Sequence, residues 1–166
     1  MRFSNHLRLL SCVLLPVSGA CAAHGVTHTA PDESRPHISW EIRTGGTNGD
    51  DDLVCASSLP SPICVLVAST EQTRALATVH LFLHAAAQPT IYTGFMRVPF
   101  MSGSSEKTGG EVSADVAPRS QPVGTTVSGL VTSKPGRYAL TISLDAKQTG
   151  LATPQRIAQE IPVTVK

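Results

Sequence analysis

Beyond Pro36 apolar and polar side chains alternate with a period of two, which marks extended segments that bury one face. In the first run Ile38, Trp40 and Ile42 share one face, and His37, Ser39, Glu41 and Arg43 share the other. Residues 77–85 set Val79, Leu81 and Leu83 opposite His80, Phe82 and His84. Both faces of that run carry apolar surface, which suits a central strand. Residues 90–100 place Ile91, Thr93 and Phe95 on one side and Tyr92, Met96, Val98 and Phe100 on the other, with Pro99 expected to end the strand or confine it to an edge. Further extended runs fall at 63–68, 111–116, 123–131, 136–144 and 155–165, and 52–55 reads as a weak strand. The Ser- and Gly-rich stretch 101–108 reads as a loop. These eight or nine short segments are joined by connections too short for crossover helices. An all-β fold is therefore expected over 37–166, an antiparallel β-sandwich of about seven to nine strands.

The residues before this pattern are of another kind. Arg2, His6 and Arg8 precede the apolar stretch from Leu9 to Val17, and Ser18, Gly19 and Ala20 follow, which is the three-part layout of a secretory signal over 1–20. The apolar run is too short to remain as a membrane-spanning helix, and Pro16 interrupts it. Residues 21–36 are polar, contain Pro31 and Pro36 and lack periodicity, so they read as a flexible tether. His24 and His28 on that tether read as solvated side chains, with weak metal binding as the rival.

The segment Ser18-Gly19-Ala20-Cys21 resembles the lipobox of bacterial lipoproteins, departing from it at Ser18, where that family usually has Leu. The resemblance implies that Cys21 receives diacylglycerol and anchors the chain to a membrane. Ordinary cleavage after Ala22 is the alternative and gives a secreted protein. Loss of Cys12 with the leader leaves Cys21, Cys55 and Cys64, an odd number that either outcome resolves. Cys55 and Cys64, outside the cytoplasm, are expected to form a disulfide. Further along, Lys134-Pro135-Gly136 leads into Tyr138, Leu140, Ile142 and Leu144. This run resembles the late hairpin of immunoglobulin-like bacterial domains, which implies that the Tyr138 hydroxyl ties back to the preceding corner.

Charge and composition narrow the function. The chain has 13 basic and 12 acidic residues, and without Arg2 and Arg8 the balance is 11 to 12, so electrostatic capture of nucleic acid is not expected. Asp50, Asp51 and Asp52 read as a solvated acidic turn, because a calcium loop alternates its oxygen ligands and ends in a distant carboxylate. No phosphate loop, Gly-x-Ser-x-Gly elbow or His-Glu-x-x-His run occurs, so the expectation is a non-enzymatic chain without a cofactor. Aromatic residues are few, and Trp40 and Tyr92 are the only plausible platforms for a sugar. The leading expectation is an exported envelope protein, facing the periplasm from the outer membrane or secreted, that binds another envelope protein or supports an assembly. The alternative is a periplasmic ligand- or metal-binding module, with copper held by His80, His84, Met96 and Met101. His80 and His84 alone stand roughly 13 Å apart on an extended strand, too far to share one ion.

Overall fold

The computed structural model describes residues 34–45, 51–102 and 109–166. The expected leader, Cys21, most of the tether, Asp50 and the segment 103–108 lie outside the described residues. Ten strands and no helix are present among the described residues: β1 (His37–Gly45), β2 (Asp51–Ala56), β3 (Cys64–Leu66), β4 (Leu76–His84), β5 (Thr90–Arg97), β6 (Met101–Ser102), β7 (Gly109–Val116), β8 (Val123–Val131), β9 (Gly136–Gln148) and β10 (Gln155–Val165). They form two five-stranded sheets. Sheet A has the order β2-β1-β4-β8-β6, and sheet B the order β3-β10-β9-β5-β7.

The period of two in the sequence becomes the in-and-out alternation of these strands. Ile38, Trp40 and Ile42 of β1 and Val79, Leu81 and Leu83 of β4 are buried, whereas their neighbours on the other face are half-buried. From sheet B come Tyr92 and Met96 of β5, Leu140, Ile142 and Leu144 of β9, and Ile161, Val163 and Val165 of β10. All of these join one cluster of buried side chains drawn from both sheets. Burying each large apolar side chain contributes about 1.5–3 kcal/mol, which makes this shared layer the main source of stability.

The strand ends and pairings differ in places from the sequence expectation. Met101 and Ser102 leave the expected loop to pair with Val131 and Leu130 of β8 as a two-residue strand. Strand β9 runs on to Gln148, because Ala146 continues the buried face past Leu144. One pairing is parallel: Val163, Thr164 and Val165 of β10 lie beside Cys64, Val65 and Leu66 of β3. The reason is that the chain leaves the β1–β2 hairpin, crosses from sheet A to sheet B and runs alongside the last strand. The Cys55–Cys64 disulfide spans that crossing, joining β2 to β3 with a Cα–Cα distance of 5.3 Å.

Hydrogen bonds tie the sheets together on the same flank. The buried Trp40 donates its Nε1–H to Gln159 Oε1 of β10 at 3.1 Å, and Gln155 Nε2 donates to the Pro36 carbonyl at 3.4 Å. In the middle of sheet B the backbones of β5 and β9 approach closely at Gly94, where φ is +154°. A Cβ there would lie 2.2 Å from the Ser143 carbonyl oxygen, so only glycine fits.

Candidate functional site

Two features stand apart from the packed core: a pair of imidazoles at one end of sheet A and an apolar flank at the β2–β3 crossing. Of the two imidazoles, only His84 is among the candidate ligands read from the sequence. His37 opens β1 and His84 closes β4, and antiparallel register sets them directly opposite each other. Their rings stack, with centroids 4.4 Å apart and planes 11° from parallel. Ser39 Oγ lies 2.8 Å from His84 Nε2, and His37 Nδ1 lies 3.3 Å from the Arg35 carbonyl oxygen.

Beneath the pair, Tyr92 of sheet B reaches across the core. Its hydroxyl donates to the His84 carbonyl at 2.7 Å and to the His37 carbonyl at 3.1 Å. Burial pushes the Tyr92 phenol up to about 12, since the ionised form would have to leave water. Burial also holds His84 below its ordinary value, and the neighbouring charge of a protonated His37 adds to the effect.

The pair borders a cavity of about 700 Å³, lined also by Ser34, Ala85, Ala86, Ala87, Arg119 and Ser120. Arg119 sits there in a left-handed backbone conformation, φ 55°, in a turn where Ser120 Oγ donates to the Ala117 carbonyl at 2.8 Å. A volume of this size suits a small ligand. Among the described residues no carboxylate lines it.

The four residues expected for copper are not brought together. His80 and His84 lie on the outer face of sheet A, and Met96 and Met101 point into the core as packing residues. His80 instead faces Thr126 Oγ1 at 3.3 Å and stacks on Phe82 with centroids 6.2 Å apart. Among the described residues no group of three or more His, Cys, Asp or Glu side chains is placed to hold a metal ion. Trp40 and Tyr92 are buried and offer no ring to a sugar. Of the three aspartates of the acidic turn, Asp51 and Asp52 open β2, and Asp50 lies outside the described residues.

The second feature was not singled out from sequence. Among the described residues five of the ten exposed large apolar side chains lie within 53–67: Leu53, Leu59, Ile63, Val65 and Val67. Ile63 is 79% exposed and Val67 70%. In β3 the buried side chains are Cys64 and Leu66, so the apolar residues that alternate with them turn outward. The sign in the sequence is the unbroken apolar run from Ile63 to Val67, which supplies more apolar surface than one buried face uses.

No known family model matches the chain, and no curated protein matches it in sequence.

Proposed function

We propose that the chain is an exported, non-enzymatic β-sandwich of the immunoglobulin-like type that binds an envelope protein through the flank at 53–67. The observation that carries this reading is the concentration of exposed apolar side chains on that flank, held in place by the Cys55–Cys64 disulfide. Isolated exposed apolar residues are ordinary, but an outward row along one edge strand, here Ile63, Val65 and Val67 alternating with the buried Cys64 and Leu66, is characteristic of a surface that another protein covers.

The immunoglobulin-like type is supported by strand order. Strands β1, β4, β8 and β6 follow the A-B-E-D order of one immunoglobulin sheet, and β5, β9 and β10 correspond to C, F and G of the other, with β7 as an added strand beyond C. Strand β2 is then an addition outside β1. The Tyr138 hydroxyl donates to the Lys134 carbonyl at 2.7 Å at the β8–β9 corner, the bond expected of a tyrosine corner. That architecture serves many purposes, so the function rests on the flank and not on the fold.

Export and anchoring through Cys21 rest on the leader and on the disulfide, a bond that persists in oxidising compartments. Cleavage after Ala22 would give the same domain in a secreted form. A photo-reactive residue placed at Val65 or Val67 in cells tests the binding surface. One discrete adduct from these positions, and none from Thr126 or Ser128 on the outer face of sheet A, is the expected outcome. Equal labelling of the two faces, or no adduct from β3, would overturn the assignment of the flank.

A further inference from the structure

We propose that His37 and His84 form a two-imidazole chelate for a divalent transition-metal ion, copper foremost. The site differs from the sequence expectation in taking its second histidine from β1, across the ladder, and in using no methionine. Cross-strand register does what spacing along β4 cannot, because it sets the two rings face to face with their centroids 4.4 Å apart.

The local hydrogen bonds leave nitrogen lone pairs available. His37 Nδ1–H is placed to donate to the Arg35 carbonyl, which leaves Nε2 as the basic nitrogen. Metal-ligating histidines commonly fix their free N–H on a carbonyl in this way. His84 Nε2 meets the neutral hydroxyl of Ser39, which a metal can displace without breaking an ion pair. The backbone at both positions is held by the β1–β4 ladder and by the bifurcated Tyr92 hydroxyl. Binding therefore orders only two side chains, which keeps its entropic cost low.

The donor set selects the ion. Imidazole suits copper, zinc and nickel, and copper(II) leads the affinity order for such nitrogen sites. Calcium and magnesium require oxygen donors that this pair lacks. Metal–nitrogen bonds of about 2.0–2.1 Å at an angle of 90–110° require the two nitrogens to stand about 3 Å apart. The stacked rings, with centroids at 4.4 Å and planes 11° from parallel, hold their in-plane lone pairs side by side, so binding requires them to tilt into a V with the nitrogen edges together, a motion available to half-buried side chains at a cavity rim. The adjoining cavity admits water to complete the coordination. Arg119 on its wall opposes a bare cation and favours one that carries an anion as an additional ligand.

The test uses the purified, metal-free protein titrated with copper(II) by calorimetry and electron paramagnetic resonance, with His24→Gln and His28→Gln introduced to remove the tether histidines. One ion per chain is expected, with nitrogen hyperfine structure from two imidazoles. His37→Ala and His84→Ala should each weaken binding by about tenfold or more, and His80→Ala should leave it unchanged. The spectrum of the protein with His37, His80 and His84 intact reads the ligand set directly, so the assignment does not depend on the folding of the His84 variant. Binding that disappears with His24 and His28, binding that is lost in His80→Ala, or the absence of any bound copper would overturn the proposal.

Discussion

Replacing Tyr92 by Phe removes a single oxygen from the most buried aromatic position of sheet B and leaves the shape of the core intact. The lost hydroxyl makes a 2.7 Å bond to the His84 carbonyl and a 3.1 Å bond to the His37 carbonyl. Deleting a buried donor of this kind costs about 1–2 kcal/mol at neutral pH. For a domain of this size the melting temperature falls by about 4–8 °C. The pH dependence supplies a second and sharper signature. The folded phenol titrates at about 12, against about 10 when unfolded, a difference worth on the order of 3 kcal/mol. Because the neutral form is the one the fold favours, this stability is fully present below pH 10. It is lost between pH 10 and pH 12, where the unfolded chain releases its proton first. Tyr92→Phe has no proton to lose at this position. The advantage of the unsubstituted protein at pH 7 should therefore shrink above pH 10 and vanish or reverse near pH 12. Urea titrations followed by the fluorescence of Trp40, the only tryptophan, measure both effects, and the subtraction cancels the other groups that ionise in that range. Equal stability at pH 7, or a difference that stays constant from pH 9 to pH 12, would show that Tyr92 does not lock the two strands.

Gly94→Ala should destabilise the domain by about 3 kcal/mol or more in chemical denaturation, because the added Cβ meets the Ser143 carbonyl at 2.2 Å and forces β5 away from β9. Gly150→Ala, with nothing within 4 Å, should cost only the left-handed backbone penalty of about 1 kcal/mol. Reduction of Cys55–Cys64, whose partners are separated by 9 in sequence, should cost about 2–3 kcal/mol, read as a shift of the urea midpoint with and without reductant. The lowered value of His84 means that the unfolded chain takes up a proton more readily than the folded one. Metal-free protein should then lose stability as the pH falls below about 6.5, and His84→Gln should show a shallower loss over the same window in thermal melts.

The strands were legible where burial is one-sided. In β1 and β4 every second residue is apolar and the core takes all of them, so Ile38, Trp40, Ile42, Val79, Leu81 and Leu83 announce both the element and its inner face. The Cys55–Cys64 pair followed from parity and compartment. What sequence did not reveal is set by which strands become neighbours. Periodicity assigns His37 and His84 to outward positions on separate strands, but only the register of β1 against β4 stacks their rings, and that register depends on the whole sheet. The parallel run of β3 beside β10 is hidden for the same reason, since it joins residues about a hundred positions apart. Methionine illustrates the opposite limit. Met96 and Met101 have the chemistry of copper ligands and the flexibility of core fillers, and the core surrounds both. The apolar flank lay in plain view as the run Ile63 to Val67, but an uninterrupted apolar segment reads equally well as a strand buried on both faces.

The proposed export is the premise shared by the proposed anchor and the proposed partner, and the mass of the intact protein isolated from its native membranes tests it most directly. A chain that begins at Cys21, heavier by its acyl groups and lighter by the two hydrogens of a closed Cys55–Cys64 bond, is the predicted species. A full-length chain recovered from the cytosol, beginning at Met1 with its cysteines as free thiols, would contradict it.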